Sequence, residues 1–221
     1  MKRDGMNTDV SIYELLAQYK IIPVIKIQEA ENALPTADAL CRGGLPVAEI
    51  TFRTQCAEEV ISILSSSRPD MTVGAGTVLT CEQAECAINA GADFIVAPGL
   101  NTEVVKYCQH RRVTVIPGCV TPTEIESALA LGINVIKFFP AAAYGGVSTI
   151  KALSAPYSGV KFLPTGGVSL QNLREYTECG AVIACGGSFM ASESMISGAK
   201  WDEIERMTRR AVAAASGIES I

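Results

Sequence analysis

The chain contains a single histidine, His110, in the polar run Gln109-His110-Arg111-Arg112, which reads as an exposed helix end. That scarcity leaves no evident Ser/His/Asp triad and no zinc site built from several imidazoles. The eight cysteines (Cys41, Cys56, Cys81, Cys86, Cys108, Cys119, Cys179 and Cys185) form no Cys-x-x-Cys pair, so they read as free thiols in a reducing compartment, most of them small core or helix residues. No apolar run reaches the roughly eighteen residues that would span a bilayer. Met1-Lys2-Arg3-Asp4-Gly5 leads into polar sequence without the apolar centre of a signal peptide. A cytoplasmic protein with no membrane partner is the expectation. Excess positive charge is also missing: 18 Lys and Arg face 23 Asp and Glu, a net charge of −5. The pairs Arg111-Arg112 and Arg209-Arg210 read as solvated helix ends, so no nucleic-acid partner is expected. Chemistry must come from lysine, carboxylate, hydroxyl, cysteine or arginine.

What the chain does have is a repeated unit. At 221 residues and 48% apolar composition it can bury a large core, as one α/β barrel or as two small domains. After a loose tail at 1–9, an amphipathic helix is expected near Val10–Tyr19, with Ile12, Leu15, Leu16 and Tyr19 on one face. Strand-like runs begin near Ile21, Val47, Thr72, Asp93, Val113, Val135, Val160 and Ala181, 20 to 26 residues apart, with helical patterns between them. Thr80-Cys81-Glu82-Gln83 and Thr121-Pro122-Thr123-Glu124 fit capping boxes. Gly91, Gly132 and Gly180 sit where left-handed helix caps are expected. Eight alternations of apolar strand and helix point to a parallel sheet closed into a single-domain (β/α)8 TIM barrel over residues 1–221. An open doubly wound sheet is the competitor, but no Gly-x-Gly-x-x-Gly follows the first strand.

One charged residue sits inside an apolar run. Asn134-Val135-Ile136-Lys137-Phe138-Phe139-Pro140 reads as a buried strand, where an unpaired ammonium would cost several kcal/mol. Lysines that attack carbonyls must be neutral, and burial is one force that lowers an amine's pKa. At the ordinary value of about 10.4 only about four lysines in ten thousand are neutral at pH 7. The plain alternative is a strand-end lysine whose head snorkels into solvent.

In a barrel, chemistry belongs at the carboxyl ends of the strands. Alternation along Val47-Ala48-Glu49-Ile50-Thr51-Phe52-Arg53 puts Glu49, Thr51 and Arg53 on the inward face. Either Glu49 and Arg53 form an internal ion pair, or Arg53 grips a substrate carboxylate while Glu49 moves protons. Gly74-Ala75-Gly76-Thr77 suggests close backbone approach, with a hydroxyl at the rim. Ala97-Pro98-Gly99 and Ile116-Pro117-Gly118 read as turns, and for Pro117 and Gly118 turn chemistry is a sufficient account. The seventh and eighth runs end Pro164-Thr165-Gly166-Gly167 and Cys185-Gly186-Gly187-Ser188. Glycine pairs at these two ends point to a phosphate or carboxylate site built on backbone N–H groups.

Ala48-Glu49-Ile50-Thr51-Phe52-Arg53-Thr54, Gly74-Ala75-Gly76-Thr77-Val78-Leu79, Lys137-Phe138-Phe139-Pro140-Ala141, Pro164-Thr165-Gly166-Gly167 and Gly186-Gly187-Ser188 together resemble the 2-keto-3-deoxy-6-phosphogluconate/4-hydroxy-2-oxoglutarate aldolases. The motifs keep that family's order over nearly the whole chain. The resemblance implies a class I aldolase with Lys137 as Schiff-base lysine and Glu49 as general acid/base. It implies Arg53 and Thr77 as carboxylate contacts and Pro98 as a pocket wall. It further implies Gly166, Gly167, Gly187 and Ser188 at the phosphate, and Thr165 at a position tied to the stereochemistry of the new hydroxyl. No cofactor and no metal would be needed, and a homotrimer is implied. Ala142 stands where relatives often carry Glu, Tyr144 replaces a smaller residue, and Lys26 stands near where some relatives place a phosphate-binding arginine. From the residues alone, a phosphosugar isomerase or epimerase, or a non-catalytic sugar-phosphate sensor, is the alternative.

Overall fold

The structure, a computed structural model, describes residues 11–217; the expected tail at 1–9 lies outside them. The order of elements is α1 (Ile12–Tyr19), β1 (Ile21–Ile25), α2 (Ala33–Arg42), β2 (Val47–Thr51), α3 (Ala57–Ser67), β3 (Thr72–Gly76), α4 (Cys81–Asn89) and β4 (Phe94–Val96). It continues through α5 (Thr102–His110), β5 (Thr114–Ile116), α6 (Pro122–Ala130), β6 (Val135–Phe138), α7 (Gly146–Ser154) and β7 (Lys161–Pro164). The chain then forms α8 (Leu173–Thr177), β8 (Cys185–Gly187), α9 (Glu193–Ser197) and α10 (Trp201–Ser216).

Six strands make one curled parallel sheet in the order β5-β4-β3-β2-β1-β8, and β6 pairs with β7 in a second sheet. Single parallel bridges, Gly118 to Lys137 on one side and Phe162 to Val182 and Thr165 to Gly186 on the other, join the pair to the two edges of the six. Strands such as β1, β2 and β6 are buried at every position, as expected of a sheet covered by helices. Phe94, Phe138 and Phe162 are the largest fully buried side chains. Room for Phe94 is made by Gly74, where any Cβ would run into that ring.

The local signals hold with corrections. Thr121 and Glu124 form a full capping box with Pro122 in the first turn of α6. At α4, Thr80 caps Gln83, but the Gln83 side chain reaches back to the N–H of Leu79. Gly91 and Gly132 have φ of 100° and 75°. Gly180 is not left-handed: α8 ends at Thr177, and the Gly180 carbonyl instead accepts from Lys161 Nζ at 2.7 Å. Strand β8 starts four residues after the expected Ala181. The segment first bonds to β7, through Phe162 N–H to Ala181 O and Ile183 N–H to Phe162 O, and only then turns to β1, with Cys185 N–H donating to Lys20 O. Arg209 and Arg210 are exposed but lie inside α10, not at its end.

Candidate active site

Lys137 is held from both sides. Its N–H donates to Pro117 O at 2.8 Å, its carbonyl accepts from Cys119 at 2.9 Å, and it stands opposite Leu163 of β7. Gly118, read from the sequence as turn chemistry alone, is the bridge partner of Lys137 and packs so closely on the Pro98 carbonyl that no Cβ would fit. The side chain of Lys137 is 5% exposed and that of Glu49 fully buried, and Nζ donates to Glu49 Oε1 at 3.1 Å. The lysine therefore does not snorkel; it meets a carboxylate 88 residues away in sequence. The Phe139 ring lies 5.6 Å from Nζ, a contact that the sequence reading did not assign, although an aromatic two residues after the lysine was its only available signal.

Glu49 is fixed by register, level with Val24 of β1 and Gly74 of β3. Gly76 supplies the space beside it, since a Cβ there would collide with the Glu49 carboxyl group. The close approach anticipated from the glycine pair is thus made by Phe94 and by Glu49. The other carboxylate oxygen, Oε2, is buried without a protein partner, and so is the Thr165 hydroxyl. Buried orphans of this kind cost about 1–3 kcal/mol each, and a buried ion pair contributes little to stability once desolvation is counted. Thr165 lies just past the end of β7 and Glu49 in the middle of β2; the other two buried orphans, the Thr36 and Thr208 hydroxyls, belong to α2 and α10.

Thr77 follows β3 with φ of 58°, a left-handed conformation that is unusual for a β-branched residue. Pro98 is partly exposed and, with Val78, Leu79 and Leu100, lines a cavity of about 250 Å³. Gly166 and Gly167 have φ of 92° and 79°, and among the described residues neither N–H donates to a protein group. Gly186 and Gly187 lie in β8 opposite Ile22 and Pro23, and Ser188 is exposed just beyond them. A Cβ on Gly186 would strike the Thr165 hydroxyl, so the smallness of the one positions the other.

Arg53 is not on the inward face of β2. The strand ends at Thr51, the N–H of Arg53 donates to Thr51 O at 2.7 Å in a tight turn, and the side chain is exposed at the rim. No Glu49–Arg53 ion pair forms among the described residues; Glu49 pairs with Lys137. Thr51 does point inward and donates to Ile25 O at 2.9 Å. Lys26 is bonded to Glu193, Nζ donating to both carboxylate oxygens at 3.0 and 3.1 Å. Ala142 and Tyr144 are exposed on the turn after β6; Ala142 N–H donates to Gly166 O, and the Tyr144 ring meets Phe138 edge-on at 6.3 Å.

Fold and site define a parallel α/β protein whose polar centre is a paired lysine and carboxylate, with two left-handed glycines, Gly166 and Gly167, beyond the carboxyl end of β7. The family model for KDPG and KHG aldolase matches residues 12–207, and the chain belongs to that family. It is 47% identical to a 2-dehydro-3-deoxy-phosphogluconate aldolase of Haemophilus influenzae, over 93% of this chain and 97% of that one. It is 37% identical to the KHG/KDPG aldolase of Escherichia coli, over 93% and 97%. The KDPG aldolase of Legionella pneumophila, solved with pyruvate captured as a covalent carbinolamine, superposes with a TM-score of 0.87 at 38% identity, over 90% and 97% of the two chains.

Proposed function

We propose that this chain is a class I aldolase that cleaves 2-keto-3-deoxy-6-phosphogluconate, 4-hydroxy-2-oxoglutarate or both, to pyruvate and an aldehyde. The observation that carries this reading is Lys137 Nζ buried 3.1 Å from Glu49 Oε1, with the second oxygen of that carboxyl group unpartnered. Neutral Lys137 adds to the C2 ketone, and Glu49 takes and returns the protons of carbinolamine formation and of the loss of water. The iminium then accepts the electron pair of the C3–C4 bond, which becomes the C2=C3 double bond of the enamine. As the C4 hydroxyl gives its proton to Glu49, directly or through water, the C3–C4 bond breaks, the aldehyde leaves, and an enamine of pyruvate remains on Lys137. Protonation at C3 and hydrolysis release pyruvate. No step requires a metal or an organic cofactor.

Binding roles follow position. Arg53, exposed at the rim, takes the substrate carboxylate together with the Thr77 hydroxyl, and Pro98 walls the pocket. Gly166, Gly167, Gly187 and Ser188 hold the far phosphate, and Thr165 lies beside the C4 hydroxyl, its unpartnered Oγ1 supporting that placement. An isomerase or a sensor would not need the carbonyl-attacking amine that a lysine buried against a carboxylate provides.

The same reading makes the whole chain one domain, its two sheets closed into an eight-stranded barrel through the bridges at Gly118, Phe162 and Thr165. It also places the protein in the cytoplasm as a homotrimer. Exposed Leu79, Leu129 and Phe139 offer apolar surface to such an assembly. Borohydride added with pyruvate tests the chemistry: one three-carbon adduct per chain is expected, on Lys137. Labelling at Lys151 or Lys161, or none, removes the aldolase reading.

A further inference from the structure

Arg53 stands on a turn between two regular elements, since β2 ends at Thr51 and α3 begins at Ala57. Both ends of this turn are tied to the same stretch of chain, at and just past the end of β1. On the near side the buried Thr51 hydroxyl donates to Ile25 O at 2.9 Å. On the far side Cys56 Sγ lies 3.2 Å from Ile27 O and 3.2 Å from Gln28 O. A thiol has one proton and is a weak donor, so the two carbonyls share it. Ile25 and Ile27 are each 1% exposed, which makes the anchor part of the core.

Local chemistry alone does not account for these ties. Cys56 is the N-cap residue of α3, where a polar side chain ordinarily bonds the first N–H groups of the helix. Its side chain caps none of them and turns back instead to carbonyls 28 and 29 residues earlier. Between the two ties, the Arg53 N–H donates to Thr51 O at 2.7 Å while the side chain stays exposed. An exposed arginine that binds an anion gives up about 2 kcal/mol of rotamer freedom, and a loose backbone would add about 1–2 kcal/mol for each residue ordered with it. A turn already fastened at both flanks leaves only the side chain to be ordered.

We propose that Thr51 and Cys56 are positioning residues for Arg53, their two ties holding the turn so that the guanidinium is presented to the substrate carboxylate before the substrate arrives. This rests on the aldolase reading above, in which Arg53 takes that carboxylate, and extends it to two residues outside its chemistry. Loss of either tie frees one flank of the turn, and the ordering that folding had supplied is then drawn from substrate binding. Both substrates suffer alike, because both present the same carboxylate.

Pyruvate, which carries the shared carboxylate and no phosphate, is the probe. The pyruvate concentration that half-saturates the borohydride adduct is measured, with KM and kcat for both substrates, in wild type, Thr51→Val, Thr51→Ser and Cys56→Ala. Thr51→Val and Cys56→Ala are also each combined with Arg53→Ala. Thr51→Val raises half-saturating pyruvate and both KM values about tenfold, Cys56→Ala about threefold as the weaker donor, and kcat changes less than KM. Thr51→Ser, which keeps the hydroxyl, stays within about twofold of wild type. In the Arg53→Ala background either substitution adds less than about twofold, because the group through which it acts is gone. The same factor in both backgrounds would make the ties general supports of the fold, and no shift in the single variants would leave them without a role; either overturns the proposal. Should Thr51→Val fail to fold, Cys56→Ala, at a partly exposed position, decides alone. If wild type forms no adduct, the aldolase reading itself fails; if the adduct at saturating pyruvate is normal but the shifts are absent, only the assignment to Thr51 and Cys56 fails.

Discussion

The two ends of the strands are built to different rules. At the amino ends of β1, β7 and β8, a cavity of about 370 Å³ is lined by Tyr13, Glu14, Ala17, Lys20, Lys161, Thr177, Val182, Ile183 and Ala184. Its polar groups are served: Lys161 Nζ donates to a backbone carbonyl, and Glu14 completes the capping box of Ser11. At the carboxyl ends the space near Pro98 is smaller, yet an ion pair is buried and two polar atoms, Glu49 Oε2 and Thr165 Oγ1, lack partners. Cavity size does not mark the working end. The buried lysine–carboxylate pair does; unpartnered hydroxyls also occur at Thr36 and Thr208 in the helices, and Lys20 beside the larger cavity has positive φ as Thr77 does.

Substitutions at the two ends should part company, and the largest effect belongs to the lysine. Lys137→Met should remove cleavage by at least about a thousandfold and abolish the borohydride adduct. It also leaves Glu49 buried and alone, which should cost about 3–5 kcal/mol in urea unfolding, whereas Lys137→Met with Glu49→Leu should match or exceed wild-type stability. Gly76→Ala should lower kcat about a hundredfold by pushing the Glu49 carboxyl group aside, read at saturating substrate. Ser188→Ala should lower kcat/KM about ten- to a hundredfold for the phosphorylated substrate alone, one charge-assisted hydrogen bond being worth about 1.5–3 kcal/mol. Arg53→Ala, by contrast, should damage both substrates about equally, because both present the same carboxylate; equal losses for Ser188→Ala would place the phosphate nearer Lys26. At the other end, Tyr13→Ala should lower unfolding stability by about 1–3 kcal/mol while kcat/KM stays within about twofold. Exhaustive chelation should change cleavage least of all, and activity lost to a chelator and restored by zinc or magnesium would break the proposed mechanism.

Much of this contrast was legible in the chain. Lys137 stood out because a charge inside Val-Ile-x-Phe-Phe has no cheap place to go, and seven of the eight strand starts, each within one residue, follow from hydrophobic runs that the sheet requires on both faces. Arg53 was misplaced for a physical reason: alternation has a period of two only while the strand lasts, and β2 stops at Thr51. The start of β8 was misplaced because Ala181–Ile183 is apolar and extended enough to read as strand, although its bonds go first to β7. Gly76 signalled a close approach, but not that Glu49 was the group approaching. Cys56 was invisible, since the carbonyls that it meets, those of Ile27 and Gln28, lie 29 and 28 residues away. Nothing local distinguishes it from the other cysteines of the chain.

The position of Glu49 is settled by the lateral fit of three strands, with Val24 on one side and Gly74 on the other. Gly167 and Ser188, proposed above to hold the far phosphate, sit instead past the last residues of β7 and β8. Bond breaking is thereby wired into the sheet, while the choice of what is held lies in segments that can change length and composition without disturbing it. A lineage built on this plan could exchange one keto-acid for another by editing its rim, and its descendants would keep the same lysine and carboxylate while diverging in diet.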